Sequence, residues 1–197
     1  MPRLFSGIEL PPIVRDDLEK LRQPLPSTRW RPAEDLHVTL RFIGDVPPPV
    51  AQEFAHNLEN IVFDPFHIRI NGLETFGGDD PRLLYASIEP NEPLLNLARA
   101  NETAARRAGL KPESRKFIPH ITLARLQAPR IDPIVRFLSR HGAIRMVQFL
   151  VTRFVLFSSK PLTGGGPYVI EREFPSSMGT FDDDEWDDDK TTGYDAH

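Results

Sequence analysis

Two histidines, His37 and His120, each open a His-x-Thr-Leu tetrad: His37-Val38-Thr39-Leu40 and His120-Ile121-Thr122-Leu123. The residue at x is apolar both times. Histidine is the side chain whose ordinary pKa lets it act as acid or base near neutral pH. One imidazole of a pair can take a proton from an attacking water while the other gives one to a leaving alkoxide. Each such group typically contributes about 10²–10⁴-fold. Threonine hydroxyls can donate to non-bridging phosphate oxygens, and arginine can stabilise the charge that develops there. Arg41 follows the first tetrad and Arg125 the second. Together these residues describe in-line displacement at phosphorus without a metal. Two other readings compete. Zinc wants three or four protein ligands, yet no third histidine or carboxylate repeats with the tetrad, and Asp35 occurs only in the first copy. A single His-x-Thr is ordinarily a strand histidine bonded to backbone, but that does not account for a pair in register inside a duplicated chain.

The duplication sets the expected positions of these residues. Arg3–Glu9 (RLFSGIE) resembles the RLLYASIE stretch at 82–89, with one residue inserted. Each is followed by proline and by apolar residues at helical spacing: Ile13, Leu18 and Leu21 in the first copy, Leu94, Leu97 and Ala98 in the second. After each tetrad comes a second helical stretch, VPPPVAQEFAHNLENIV and IDPIVRFLSRHG. A long apolar strand follows, FHIRINGLETF and IRMVQFLVTRFVLF. The pattern is strand–helix–strand–helix–strand, twice. Alternation along the tetrad strands puts His37, Thr39 and Arg41 on one face and Val38, Leu40 and Phe42 on the other. His120 and Thr122 likewise share a face. The same alternation sends Arg125 to the buried side, so a bulge or a strand end must redirect it.

The bulk composition fits this scheme. Among 197 residues there are 20 prolines and no cysteine. The prolines suit short elements joined by stiff loops. The missing cysteines remove disulfides and thiolate chemistry. No stretch has the length or apolarity of a membrane span, and the opening residues lack the apolar run of a signal peptide, so the chain reads as soluble and cytoplasmic. From Ser176 onward the charge is −7, which leaves +3 on the remainder of a chain whose net charge is −4. Residues 1–175 are expected to form one bilobal domain. Residues 176–197, with DDDEWDDD, are expected to be an acidic, disordered tail. That tail is either a solvated extension or a competitor that folds back over a basic groove.

Other residues could line the groove. Trp30 offers a face for a base to stack on, or else packs in the core. Tyr168 lies on the strand after Gly164-Gly165-Gly166, a glycine run read as a hairpin turn, and could reach a ligand. Arg115 and Lys116 precede the second tetrad as a phosphate contact or a solvated loop. Phe5 and Tyr85 either line the groove or, as expected, pack in the core.

HVTLRFIG and HITLAR, with the opening RLFSGIELP and the closing GGGPYVIEREF, resemble the 2H phosphoesterase family. They are most similar to its branch of RNA 2′,3′-cyclic phosphodiesterases, also called 2′-5′ RNA ligase-like proteins. The resemblance implies an α+β, duplicated bilobal fold, with two antiparallel sheets around a central groove and helices outside. It implies opening of an RNA 2′,3′-cyclic phosphate end to a 2′-phosphomonoester, with no cofactor and no metal. A reversible 2′-5′ ligation is associated with the same family. His37, Thr39, His120 and Thr122 carry over as the catalytic set, and Arg125 falls where the second motif commonly has a basic residue. His120 is cast as base and His37 as acid, an order the near-symmetry of the motifs leaves open. The expected partner is an RNA cyclic-phosphate end or a small cyclic nucleotide, bound by a monomer. The alternatives are a non-catalytic RNA-end-binding protein and a phosphodiesterase for another cyclic-phosphate nucleotide.

Overall fold

The computed structural model describes residues 3–144, 148–159 and 167–177. The first repeat runs β1 (Arg3–Glu9), α1 (Pro12–Glu19), β2 (Thr28–Trp30), a 3-10 turn (Ala33–Asp35), β3 (His37–Asp45), α2 (Pro48–Glu59), β4 (Phe66–Ile68) and β5 (Ile70–Phe76). The second runs β6 (Leu83–Ile88), α3 (Glu92–Arg107), β7 (His120–Leu126), α4 (Ile131–His141), β8 (Phe149–Val151), β9 (Arg153–Ser159) and β10 (Tyr168–Pro175). Helix starts follow the sequence signals. Proline opens α1 and α2, where its missing N–H is no loss. The Asn91 side chain accepts from the Leu94 backbone N–H at 2.9 Å and caps α3, as an N-cap amide does.

The α+β class and the antiparallel sheets are as expected from the resemblance. An eight-stranded sheet has the order β10-β9-β1-β3-β7-β6-β5, with β2 alongside β7. The trio β9-β1-β3 matches β5-β6-β7 about a pseudo-two-fold axis between β3 and β7. Those two tetrad strands meet through one antiparallel pair, Val38 with Ile121. Both residues are fully buried, on the face that the helices cover. Val14 and Leu18 of α1, Phe54 and Leu58 of α2, Leu94 and Leu97 of α3, and Ile134 and Phe137 of α4 all join that core. The opposite face carries a smaller cluster of Phe5, Val155 and Phe157, flanked by Tyr168 and Ile170.

The long apolar strands differ from expectation: each is broken. In each, a three-residue strand leaves the large sheet, and β4 pairs with β8, Phe66 opposite Val151 and Ile68 opposite Phe149. All four are buried in the main core. Pairing across the repeats closes that end of the core, which two straight strands would leave open.

Gly7 permits a close approach. A Cβ there would lie 2.6 Å from the Val38 carbonyl oxygen and 3.3 Å from the Phe157 ring. The first tetrad strand therefore lies against β1 at a distance only glycine allows. The glycine run 164–166, residues 145–147 and the acidic stretch from 178 onward lie outside the described residues.

Candidate active site

His37 and His120 flank the Val38–Ile121 pair on the face away from the helices. In the antiparallel register His37 lies across from Thr122, and His120 across from Thr39. Diagonal neighbours on one sheet face stand roughly 7–8 Å apart, and the two rings are near enough for the charge of His120 to act on His37. The repeats hold both rings alike. His37 Nδ1 bonds the Asp35 carbonyl oxygen at 2.8 Å, and His120 Nδ1 bonds the Ile118 carbonyl oxygen at 2.7 Å. A carbonyl only accepts, so Nδ1 carries the proton and the neutral ring keeps its lone pair on Nε2. The Thr39 hydroxyl lies 3.0 Å from His37 Nε2 and donates to it in that tautomer.

Each ring sits among aromatics. Phe5, Tyr168 and Phe157 stand 4.7, 5.2 and 5.4 Å from the His37 centroid. Phe76 and Tyr85 stand 5.0 and 5.3 Å from His120. Burial strips water from the charged form, so the His37 pKa falls to about 4; the Asp35 carbonyl resists, while the charges of Arg31 and His120 push it further down. His120 is lowered too, again mainly by burial, with the Ile118 carbonyl opposing. Both imidazoles are therefore neutral at pH 7 in the free protein, each a base in waiting. The Tyr85 hydroxyl donates to Glu74 at 2.9 Å, and burial and that carboxylate push its pKa up to about 12. It stays a neutral wall for His120.

A backbone irregularity decides which arginine reaches the groove. On β7 the pairing with β6 skips a residue: Tyr85 faces Thr122 and Leu84 faces Ala124. Leu123 is a bulge. Leu123 and Ala124 are both buried in succession, and Arg125 swings onto the groove face, where it lines the cavity. The bulge required by the sequence is there. The same bulge falls at Leu40, because Gly7 faces Thr39 and Ser6 faces Arg41. The expectation that Arg41 shares the histidine face is thereby corrected. Arg41 leaves the groove, pairs with Glu102 of α3, and donates to the Lys111 carbonyl at 2.6 Å. Phe42 takes the groove position instead.

Trp30 is corrected as well. On β2 it pairs with the buried Ala124. Its indole N–H donates to the Gln23 carbonyl at 2.9 Å, and its ring meets Phe137 of α4 edge-on at 5.9 Å. It packs in the core rather than offering a stacking face. Its neighbours turn the other way: Arg29 pairs with Arg125, and Arg31 lines the cavity and donates to the Tyr168 hydroxyl at 2.9 Å. Tyr168 thus stands in the cavity wall. Its backbone N–H reaches the buried Asp35 carboxylate at 3.3 Å. Arg31, Arg3 and Asp35 were missed as site residues by sequence reasoning. Alternation along Thr-Arg-Trp-Arg, with the tryptophan placed inward, is the signal for Arg29 and Arg31. Arg115 is exposed and tied to Glu113 at 3.1 Å, as a solvated loop would be.

The cavity encloses about 210 Å³, and His37, Thr39, Thr122 and Arg125 line it. Among the described residues no helix is long and apolar enough to cross a membrane.

The chain is similar to known proteins over most of its length. A family model described as the 2′-5′ RNA ligase superfamily matches residues 10–160. The chain is 35% identical over 153 residues to an RNA 2′,3′-cyclic phosphodiesterase of Aeropyrum pernix, covering 71% of this chain and 85% of that one. It is 28% identical over 181 residues to the protein of that name from Aquifex aeolicus, covering 87% and 96%. Among solved structures it is similar to TT0787 of Thermus thermophilus, with a TM-score of 0.71 and 27% identity, over 88% of this chain and 97% of that chain. Escherichia coli LigT, solved with 3′-AMP, shares the fold at a TM-score of 0.72 and 24% identity, over 90% and 99%.

Proposed function

The chain belongs to the 2′-5′ RNA ligase superfamily, and from that premise we propose that it hydrolyses RNA 2′,3′-cyclic phosphate ends to 2′-phosphomonoesters. The observation that carries the reading is the paired imidazoles on one sheet face. Both Nδ1 atoms are spent on backbone carbonyls, so protons move through Nε2, which on His37 meets the Thr39 hydroxyl until a phosphate oxygen takes that hydroxyl's hydrogen bond. The relatives from Aeropyrum and Aquifex carry that activity in their names.

One imidazole takes a proton from water as its oxygen attacks phosphorus. The other, protonated at both nitrogens, delivers a proton to O3′ as the P–O3′ bond breaks, and the phosphate stays on O2′. A phosphodiester anion between the rings raises both pKa values, so the substrate itself brings the acid into its charged form. Thr39 and Thr122 donate to the non-bridging oxygens, and Arg125 and Arg31 stabilise the dianionic transition state. Tyr168 holds Arg31 in place. Residues 1–175 act as one bilobal unit, a monomer. The absence of cysteine suits the cytoplasm. Ligation of RNA ends through a 2′-5′ bond is the same ring opening with a ribose 5′-hydroxyl in place of water: the base takes the hydroxyl's proton as the new P–O5′ bond forms, the acid protonates O3′ as P–O3′ breaks, and only the reverse cleavage of the 2′-5′ bond exchanges the two roles.

The experiment is turnover of cyclic 2′,3′-AMP in the presence of EDTA, with products separated by chromatography. The expected product is 2′-AMP, and His37→Ala and His120→Ala abolish it while circular dichroism shows both variants folded. Near wild-type rates in either folded variant would refute the pair.

A further inference from the structure

The helix layer carries a hollow of its own, on the side of the sheet away from the two imidazoles. Residues 61–66, which join α2 to β4, enclose about 300 Å³ together with Pro93, Asn96, Leu97 and Ala100 of α3. Phe66 and Leu97 are buried in the main core, and Val62 is 82% exposed. Of the residues around the hollow only Asp64 and Asn96 bring polar side chains. An apolar hollow of this kind gains from being covered by apolar surface.

The chain leaves β10 toward this hollow. The Ser176 backbone N–H donates to the Thr152 carbonyl at 2.7 Å, and that of Ser177 donates to the Phe63 carbonyl at 2.9 Å. The Ser177 hydroxyl donates to the Asp64 carboxylate. Phe63 and Asp64 both line the hollow, so Ser177 is pinned at its edge. Met178-Gly179-Thr180-Phe181 comes next and carries no charge. Phe181 is four residues beyond Ser177, a reach of up to about 14 Å. Trp186 is the larger ring, but carboxylates flank it on both sides, and seating it would take them out of water. Phe181 has charge on one side alone. Arg99, Arg106 and Arg107 are exposed along α3, which sets cations beside the path of the acidic run that follows Phe181.

We propose that the hollow between α3 and residues 61–66 is a docking site for this chain's own segment Met178–Phe181, with the Phe181 ring seated against Leu97 and Ala100. The acidic run DDDEWDDD begins at the next residue. Docking holds the start of that run on the helix layer, away from the basic groove that contains His37. The extension is then neither free in solvent nor a competitor for the phosphate site. This inference stands apart from the phosphodiesterase reading and does not depend on turnover.

The chain has no cysteine, so one engineered pair reports one contact. Two full-length variants are oxidised in a glutathione buffer and followed on non-reducing gels. One carries Thr180→Cys with Asn96→Cys at the hollow; the other carries Thr180→Cys with Arg29→Cys, on the strand beside Arg125. Burying a phenylalanine side chain favours the docked form by roughly 10- to 150-fold. The Asn96 pair should therefore close within one chain at least about tenfold faster than the Arg29 pair, and adding Phe181→Ala should abolish the difference. Methyl NMR of the cysteine-free full chain supplies a second readout, which decides the matter if Asn96→Cys disturbs α3. Phe181→Ala should shift the Leu97 and Ala100 methyl resonances and leave those of Leu123, on β7, in place. Equal closure rates in folded variants, or unmoved Leu97 and Ala100 methyls, overturn the docking and leave the extension in solvent. Faster closure at Arg29 overturns it in favour of a segment lying over the basic groove. A disulfide at Asn96 that joins two chains overturns it in favour of a second copy's segment.

Discussion

His37 should make the protein acid-sensitive in a way that one substitution removes. Its pKa falls from the ordinary 6.5 to about 4, first because it is buried and then because Arg31 and His120 oppose its charge. The unfolded chain therefore binds a proton between pH 6.5 and 4 that the folded chain refuses. Stability from this group is whole above pH 6.5 and declines as pH falls through that window. At pH 5 the linkage amounts to about 2 kcal/mol. With a typical urea dependence that is a shift of roughly 1 M in the unfolding midpoint between pH 7.5 and pH 5. Other groups titrate too, so the measurement is the difference between wild type and His37→Asn, an amide that can still donate to the Asp35 carbonyl. The asparagine variant should lose about 2 kcal/mol less over that interval. Proton NMR of the wild type should show one imidazole still neutral at pH 5, and binding of 2′-AMP should raise its pKa. Equal acid sensitivity in the two proteins, or a His37 resonance that titrates near 6.5, would refute the buried-imidazole account and with it the claim that substrate charges the acid.

Arg125→Met should cut kcat/KM for cyclic 2′,3′-AMP by roughly 10- to 150-fold, the usual worth of a charge-assisted hydrogen bond, with the fold intact by thermal melting. Gly7→Ala puts a methyl group 2.6 Å from the Val38 carbonyl; a loss of about 1–3 kcal/mol in urea unfolding is expected, together with lower turnover as β3 shifts. Arg41→Met leaves Glu102, only 28% exposed in its side chain, without its partner; it should cost about 3 kcal/mol, and Arg41→Met combined with Glu102→Met should recover most of it.

The repeat, the two tetrads and the need for a bulge before Arg125 were legible because each is a matter of period. A half-buried strand alternates, and an arginine on the wrong phase announces an irregularity. The bulge was inferred only where it rescued a wanted residue. Applied evenly to both copies, the same logic inverts Arg41 and brings out Phe42, since Leu40 and Leu123 stand at one position of the repeat. Trp30 was ambiguous because tryptophan suits a core and a stacking face equally. Its partner Ala124 lies nearly a hundred positions away, so only pairing settles its side. The break in each long strand was not legible either. Phe66, Ile68 and Ile70 keep a perfect alternation across it, and the pairing of β4 with β8 is a contact between repeats that no local pattern records.

A two-fold backbone by itself cannot tell O2′ from O3′, because a cyclic phosphate turned end for end would meet the same two imidazoles. What the repeats do not share must make that choice. His37 is walled by three aromatics beside Arg31 and the Asp35 carboxylate, and its Nε2 is met by Thr39. His120 is walled by Phe76 and by a tyrosine tied to Glu74. Arg31 and Arg125 line the cavity with His37, so the surroundings of the two imidazoles differ in charge as well as in packing. If one imidazole is the acid and the other the base, the choice is made by those surroundings and not by any intrinsic difference between the two tetrads. Duplication accounts for the pair of imidazoles; divergence around them, Phe42 standing where the other repeat has Arg125, makes the two sides unequal.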